Sequence, residues 1–318
     1  MEQPTERITL ELRQLENEHH DSCSYCGYQF KEADTAHLGY LDNGSPAYVC
    51  EKCFEQLSEL AARRYFMKKP YEVPDESVLL WRYLDFTKFV NLLSSKALYF
   101  PRADQFEDTF EGAKGLKGNK EKWDSFYLDF FREAVRNPPP GHNCELTDDE
   151  IDKEAQRLLQ SMEAGGQHSR TRTFVSCWHE NEHESEAMWR LYSSFLPNAL
   201  TIRSTYGRLY RSLGKNPSIK IGRVQYLDLN KQYAGVNDAF WRKRKSFEHE
   251  REVRAVLMDH KETGLGKLVS CDLKELIEEV IVSPMAPPWF ENLVADVSEK
   301  YGLEAKVSGS RLNDEPFF

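Results

Sequence analysis

Trp241-Arg-Lys-Arg-Lys-Ser-Phe-Glu-His-Glu-Arg-Glu-Val-Arg254 is the stretch on which the reading of this chain turns. A basic run, Arg242 to Lys245, leads into alternating acids and bases, then into apolar Ala255-Val256-Leu257. Side chains alternate between the faces of a strand. Glu248, Glu250, Glu252 and Arg254 therefore share one face, and His249, Arg251 and Val253 the other. Four ionisable side chains on one face are costly to bury unless they pair or bind something. Two readings follow: a solvated edge strand laced with ion pairs, or a strand that carries chemistry.

The flanking segments set the fold. Upstream, Ser77 to Tyr83 predicts a strand, Thr87 to Ser94 a helix with apolar residues at i, i+3 and i+4, and Ala97 to Phe100 a second strand. Pro101 to Glu111 is an acid-rich loop. Residues 114–167 read as a helical insertion, with Trp123, Phe126, Phe130 and Phe131 on one helix and a capping box, Thr147 to Glu150, opening the next. Thr171 to Trp178 is a strand, His179 to Glu186 a polar loop, and Ala187 to Phe195 a helix. The strand from Asn198, the helix from Tyr206 and the strand Ile219 to Tyr226 follow. Beyond the central stretch come strands at Leu268, Glu279 and Ala305 and helices at Asp272 and Pro288. The pattern predicts an α+β domain, residues 77–318, built around a strongly twisted mixed sheet.

The N-terminal part carries Cys23-Ser-Tyr-Cys26-Gly27 and Cys50-Glu-Lys-Cys53, with 23 residues between the pairs. Zinc takes four thiolates in a tetrahedron, and two CxxC pairs at this spacing supply them. The order is a knuckle, a hairpin around Asn43-Gly44, and a pair at a helix start. It predicts a treble-clef or ribbon-type zinc finger over residues 1–67. Four thiolates close the site, so the zinc is structural, and His19, His20 and His37 are not needed as ligands. Tyr25, Tyr28 and Phe30 are either base-stacking residues or the module's own core. The prolines in residues 68–76 predict a linker.

Composition limits the alternatives. Of 318 residues, 40% are hydrophobic and 30% charged, as in an ordinary globular protein, and 39 aromatics (18 Phe, 15 Tyr, 6 Trp) argue against global disorder. A net charge of −10 makes the surface as a whole a poor partner for nucleic acid, so any such contact needs a local basic patch. The best placed is Arg242 to Lys245, read as a phosphate contact or as a solvated linker. No run of about 18 apolar residues predicts a membrane span, and the acidic N-terminus lacks an apolar core for export. With CxxC pairs that read as metal ligands, the expectation is a cytoplasmic protein.

Four segments resemble the bacterial family catalogued as domain of unknown function 2971. They are Leu80-Trp-Arg82-Tyr83 with Leu98-Tyr-Phe100 and Phe106-Glu-Asp108-Thr-Phe-Glu111; Val175-Ser-Cys177-Trp178 with Met188-Trp189-Arg-Leu-Tyr192; Lys245 with Glu250-x-Glu252-x-Arg254; and Ile277-x-x-Val-Ile-Val282. More distantly, an Arg strand, a Ser at a strand end and an E-x-E strand, in that order, are similar to ADP-ribosyltransferases. That resemblance implies Arg82 as the clamp on NAD phosphate or ribose, Ser176 as ribose support, Glu252 as the catalytic carboxylate and Glu250 as activator of the acceptor. Tyr83, Trp178 and Trp189 become candidates to stack on nicotinamide, and Arg254 a further cofactor-side residue. Here Ser176 is followed by Cys177 and Trp178 rather than Thr-Ser. The chemistry is consistent: glycosidic cleavage needs a carboxylate near developing positive charge, and a pyrophosphate suits a guanidinium fork.

The expectation is an NAD-using ADP-ribosyltransferase or NAD glycohydrolase of toxin or defence type, with a protein or nucleic-acid acceptor. The alternatives are a non-enzymatic nucleotide- or phosphate-binding module and a nucleic-acid-binding protein led by the zinc finger. Two narrower readings stay open: thiol chemistry at Cys177 with His179, and a second metal held by His179, His183 and the acids Glu180 to Glu186 rather than a solvated loop.

Overall fold

The computed structural model describes residues 6–9, 21–24, 26–31, 33–40, 46–57, 71–137, 145–192, 197–216, 218–232, 234–235 and 238–318. They fall into two compact units, one within residues 1–70 and one comprising residues 71–318. In the first, β1 (Glu6–Thr9), β2 (Thr35–Tyr40) and β3 (Pro46–Cys50) form an antiparallel sheet in that order, and α1 (Glu51–Leu57) follows β3 directly. Phe30 and Tyr48 are buried against each other, and His37 stacks on Phe54 at 3.6 Å. Phe30 is therefore core, whereas Tyr28 is exposed; Tyr25 lies outside the described residues. The tip of the hairpin at Asn43-Gly44 also lies outside them.

The second unit is α+β, as the patterning predicts. Its main sheet has seven strands in the order β14-β13-β7-β4-β6-β11-β8. These are β4 (Leu79–Asp85), β6 (Thr173–Glu180), β7 (Ala199–Thr205), β8 (Ile219–Arg223), β11 (Glu252–Met258), β13 (Glu279–Val282) and β14 (Lys306–Gly309). Only β13 and β14 run parallel, so the sheet is mixed. Two short ladders flank it: β5 (Ala97–Pro101) with β12 (Gly266–Ser270), and β9 (Gln225–Leu227) with β10 (Arg242–Arg244).

One face of the sheet carries Leu80, Phe174, Ile202, Val253, Leu257 and Val280 into the main core, with Phe89, Leu209 and Phe290 supplied by helices α2 (Phe86–Ser95), α6 (Tyr206–Ser212) and α8 (Pro288–Lys300). On the other face a smaller cluster gathers Trp81, Tyr83 and Ile281 under Met188 and Trp189 of α5 (Glu186–Tyr192). The insertion is a helical pair, α3 (Lys120–Arg136) and α4 (Asp148–Arg170), with the capping box formed at Thr147 and Glu150. α7 (Leu273–Leu276) is one short turn capped by Asp272.

Two expectations are corrected. Residues 71–76 are not a free linker: Tyr71 is buried against Trp241 at 4.1 Å, and Glu72 bridges to Arg223. Residues 245–250 are not strand either. Lys245–Glu250 is a 3-10 turn, Arg251 takes the left-handed conformation at φ 40°, and β11 starts only at Glu252. Period two therefore fails between Glu248 and Glu252, because a left-handed residue reverses the chain direction that alternation assumes.

Candidate functional site

β4 pairs with β7 from Leu79 to Asp85 but with β6 only at Leu80 and Trp81. Past Trp81 these two neighbours part. The gap is a cavity of about 690 Å3, lined by Arg82 and Tyr83 of β4, Cys177 and Trp178 of β6, Tyr99 of β5, Tyr192 of α5, and His179, Glu250 and Glu252. Register explains why a fork is needed. Trp81 sits opposite His179, and Arg254 and Glu252 sit opposite Cys177 and His179. Residues paired across a ladder share a face. Tyr83, Cys177, His179 and Glu252 thus share one face, while Arg82, Ser176 and Trp178 share the other. Only where the ladder opens do both sets reach one space.

Arg82 stands on the apolar side of β4. It donates to the Ser176 hydroxyl and, at 3.2 Å, to the Tyr99 carbonyl, and its guanidinium lies 5.5 Å from the centre of the Trp178 ring. Trp178 Nε1 donates to the same hydroxyl at 3.2 Å. No carboxylate among the described residues pairs with Arg82, and burial lowers its pKa. A half-buried guanidinium in a cavity wall with no carboxylate partner has the charge and donor geometry to meet an anion.

Glu250 and Glu252 of the same lining belong to a buried ion cluster. Arg254 is fully buried and uses all five N–H groups: two on Glu252 at 2.6 and 3.1 Å, two on Glu111 at 2.5 and 2.8 Å, and one on the Phe240 carbonyl at 2.8 Å. Lys243 bridges Glu250 and Glu252, lying 3.4 Å from the latter. The Glu252 amide donates to the Tyr226 hydroxyl at 2.8 Å. Burial opposes the charge of Glu252, but Arg254 and Lys243 outweigh it and hold the carboxyl at about 2. Burial wins at Glu250, whose pKa is raised despite Lys243. Among the described residues the cluster thus holds three carboxylates, Glu111, Glu250 and Glu252, against two cations, Lys243 and Arg254.

His179 faces the same space. Its Nδ1 lies 2.6 Å from the Glu250 carbonyl, which can only accept, so Nδ1 carries the proton. Nε2 is then an acceptor, and it is buried without a hydrogen-bond partner among the described residues. Burial lowers the pKa and keeps the ring neutral. Burial, then the adjacent Glu252 charge, push the Cys177 thiol well up, which disfavours the thiolate that nucleophilic attack needs.

The structure redistributes the residues singled out in the sequence. Arg82, Tyr83, Trp178, Glu250 and Glu252 line one cavity, and Ser176, fully buried, orients Arg82 from behind. Arg254 does not bind a ligand, since every donor is used within the cluster. Trp189 is also removed from the list: it is buried edge-on against Tyr83 at 4.9 Å and donates to Glu184 at 3.0 Å. Three of the four cations of the basic run are paired internally, with Lys243 in the cluster, Arg242 beside Asp238 at 3.4 Å and Arg244 on Asp108 at 2.8 Å, while Lys245 is exposed. Arg242, Lys243 and Arg244 are therefore not free for a phosphate. The loop after β6 is not a metal site among the described residues. Glu180 pairs with Arg223, and Glu184 accepts from Trp189 and Ser310. Sequence reasoning passed over Lys243 as one of a charge run, and weighed His179 only as a partner of Cys177 or a metal ligand, not as a hydrogen-bond acceptor in the cavity.

In the first unit, the sulfurs of Cys23, Cys26, Cys50 and Cys53 all lie within 4.8 Å of one another. The Cys26 and Cys50 sulfurs are 3.8 Å apart, which is the edge, ~3.8 Å, of a tetrahedron with Zn–S bonds of ~2.3 Å. Gly27, at φ +72°, turns the first pair back so that its amide meets the Cys23 carbonyl at 2.9 Å, and the Cys50 amide points at the Cys23 sulfur at 3.4 Å. The donor set fits zinc.

No family model matches the chain, so its resemblance to domain of unknown function 2971 rests on the motifs alone. No curated protein matches. Among solved structures, the chain is similar to Thermus sp. 2.9 DarT in complex with NAD+, at 9% identity and a TM-score of 0.32, covering 74% of this chain and 97% of that one. The same protein in complex with ADP-ribosylated single-stranded DNA gives 9% identity and a TM-score of 0.33, covering 76% and 97%. At that level of superposition the likeness assigns no residue a role.

Proposed function

We propose that the forked cavity binds NAD and that the chain cleaves its nicotinamide–ribose bond, as an ADP-ribosyltransferase or NAD glycohydrolase with an ADP-ribosyltransferase-like fold. The observation that carries this reading is the polarity of the cavity. Its lining offers Arg82, a cation without a carboxylate partner among the described residues, together with Glu250 and Glu252 of a cluster that has one carboxylate more than it has cations. NAD has the matching polarity, an anionic pyrophosphate and a cationic nicotinamide ribosyl end.

The roles follow from the two carboxyls being held in different protonation regimes, the arrangement that separates an ionised stabiliser from a proton carrier. Glu252, held ionised, faces the positive charge that develops at the ribose as the C1′–N bond breaks and the electron pair leaves with nicotinamide. Glu250, its pKa raised, takes the proton of the acceptor hydroxyl or water that bonds to C1′. Arg82, oriented by Ser176, holds the phosphates. His179 Nε2 accepts a hydrogen bond from a ribose hydroxyl or the carboxamide N–H2, and Tyr83 or Trp178 flanks the ring. In the first unit the four cysteines hold a structural zinc.

The test is nicotinamide release from NAD, followed by chromatography, with and without candidate acceptors. Turnover should fall by about 10²–10⁴ in Glu250→Gln. Absence of release under any acceptor, or release unaltered in Glu252→Gln, sinks the reading. A second reading, nucleotide binding without turnover, has its own support: both Glu252 oxygens are already engaged by Arg254 and Lys243. Saturable binding of ADP-ribose without release of nicotinamide would select it.

A further inference from the structure

A second cavity, about 420 Å3, lies in the helical insertion between the segment 112–120 and α4. Its wall carries Lys114, Lys117, Lys120 and Arg170 against one acid, Glu163, in a chain whose net charge is −10. Lys120 is spent on Asp124 and Glu163. The other three cations have no ion-pair partner among the described residues. Lys114 is held over the Trp123 ring at 4.6 Å and donates to the Met162 carbonyl at 3.4 Å. Gly166 makes room for it, since a Cβ there would come within 3.1 Å of its Nζ. Arg170 Nε is buried with no hydrogen-bond partner among the described residues. Burial lowers the pKa of Lys114, a cost that an anion in the cavity would offset.

We infer that this cavity is a phosphate-binding site, with Lys114, Lys117 and Arg170 as its ligands. Three unpaired cations around one hollow repel one another, and a doubly or triply coordinating anion removes that repulsion. Phosphate fits better than carboxylate: it presents three or four acceptor oxygens and carries up to two charges, which matches a guanidinium and two ammonium groups. The same chemistry serves a phosphomonoester or, through adjoining phosphates that each give two free oxygens and one charge, the backbone of a single-stranded nucleic acid. The site stands independently of the larger cavity, and nothing in the N-terminal unit is needed for it.

The experiment is lysine acetylation of the whole protein read by mass spectrometry, at matched ionic strength, with inorganic phosphate, a short oligothymidylate or sodium chloride alone. Lys114 and Lys117 should be protected by an anion while exposed Lys300 is not. Protection by both probes establishes a general phosphate site. Protection by phosphate alone assigns a monoester, and by oligothymidylate alone a nucleic-acid backbone. Arg170→Met should weaken protection of Lys114 about tenfold. Lys117→Ala is exposed, cannot disturb folding, and should weaken it likewise. Absence of protection by either probe, or protection unchanged in both variants, overturns the inference.

Discussion

Glu252→Gln isolates the buried cluster, and its effect on stability can be worked out before any turnover is measured. In the folded chain the carboxyl sits at about 2 against an ordinary 4.5. That gap corresponds to about 3 kcal/mol of preference for the charged form. The sign follows from linkage. A depressed carboxyl contributes stability that is present above pH 4.5 and lost as pH falls towards 2, because the unfolded chain takes up the proton first. Glutamine keeps the shape but cannot be an anion. Its amide also turns an N–H2 towards Arg254 or Lys243, which have only donors to offer. Arg254 is left with Glu111 and Lys243 with Glu250. Breaking one member of a buried ion cluster costs about 3–5 kcal/mol, so a loss of about 3 kcal/mol at pH 7 is expected. For a protein of this size it lowers Tm by about 6–12 °C. Urea unfolding at pH 7 and at steps down to pH 3 measures both parts. The wild type should lose stability steeply below pH 4.5, and the variant should show a shallower loss. A variant with wild-type stability at pH 7, or with the same pH profile, would refute the assignment of Glu252 as an ionised hub.

Glu250→Gln should behave oppositely: its raised carboxyl contributes stability below its unfolded pKa that is lost as pH rises, so neutralising it costs at most about 1 kcal/mol at pH 7 by the same urea assay. Arg82→Met should weaken ADP-ribose binding by about 10–100-fold, the value of one or two charge-assisted hydrogen bonds, read by calorimetry; unchanged affinity would remove Arg82 from the site. His179→Phe should weaken the same binding by about tenfold, whereas wild-type affinity should stay flat from pH 6.5 to 8, since burial keeps the ring neutral there. Cys50→Ser should lose most of the one zinc ion expected per chain, counted by mass spectrometry of the metal.

The alternation of strand and helix in the second unit was legible because each element carries its own period: Leu80, Leu84 and Phe89 through Leu93 report their faces locally. The cysteine cluster was legible for a different reason, since ligand type and spacing leave few other uses for two CxxC pairs. The centre of the chain was misread where structure depends on partners far away in sequence. Lys243 looks like any member of a basic run, and only the return of β10 alongside β9 brings it onto Glu250 and Glu252. Arg254 looks like a free ligand until Glu111, 143 residues earlier, closes on it. Arg251 gives no local sign of a left-handed backbone, having neither glycine's freedom nor an asparagine side chain.

That misreading bears on the chemistry. On a continuous strand Glu250 and Glu252 would point side by side to one face, and only the repulsion between two like charges would set them apart. The 3-10 turn and the left-handed Arg251 place Glu250 on a separate element, so that one carboxyl meets two cations and the other meets one. Their protonation states separate because burial prevails at Glu250 over its one ion-pair partner, whereas two cations prevail over burial at Glu252. The same turn points the Glu250 carbonyl at His179 and thereby fixes which imidazole nitrogen is left to face the cavity. A residue that breaks the period of the strand is thus what differentiates three groups around one space, and the strand pattern alone conceals it.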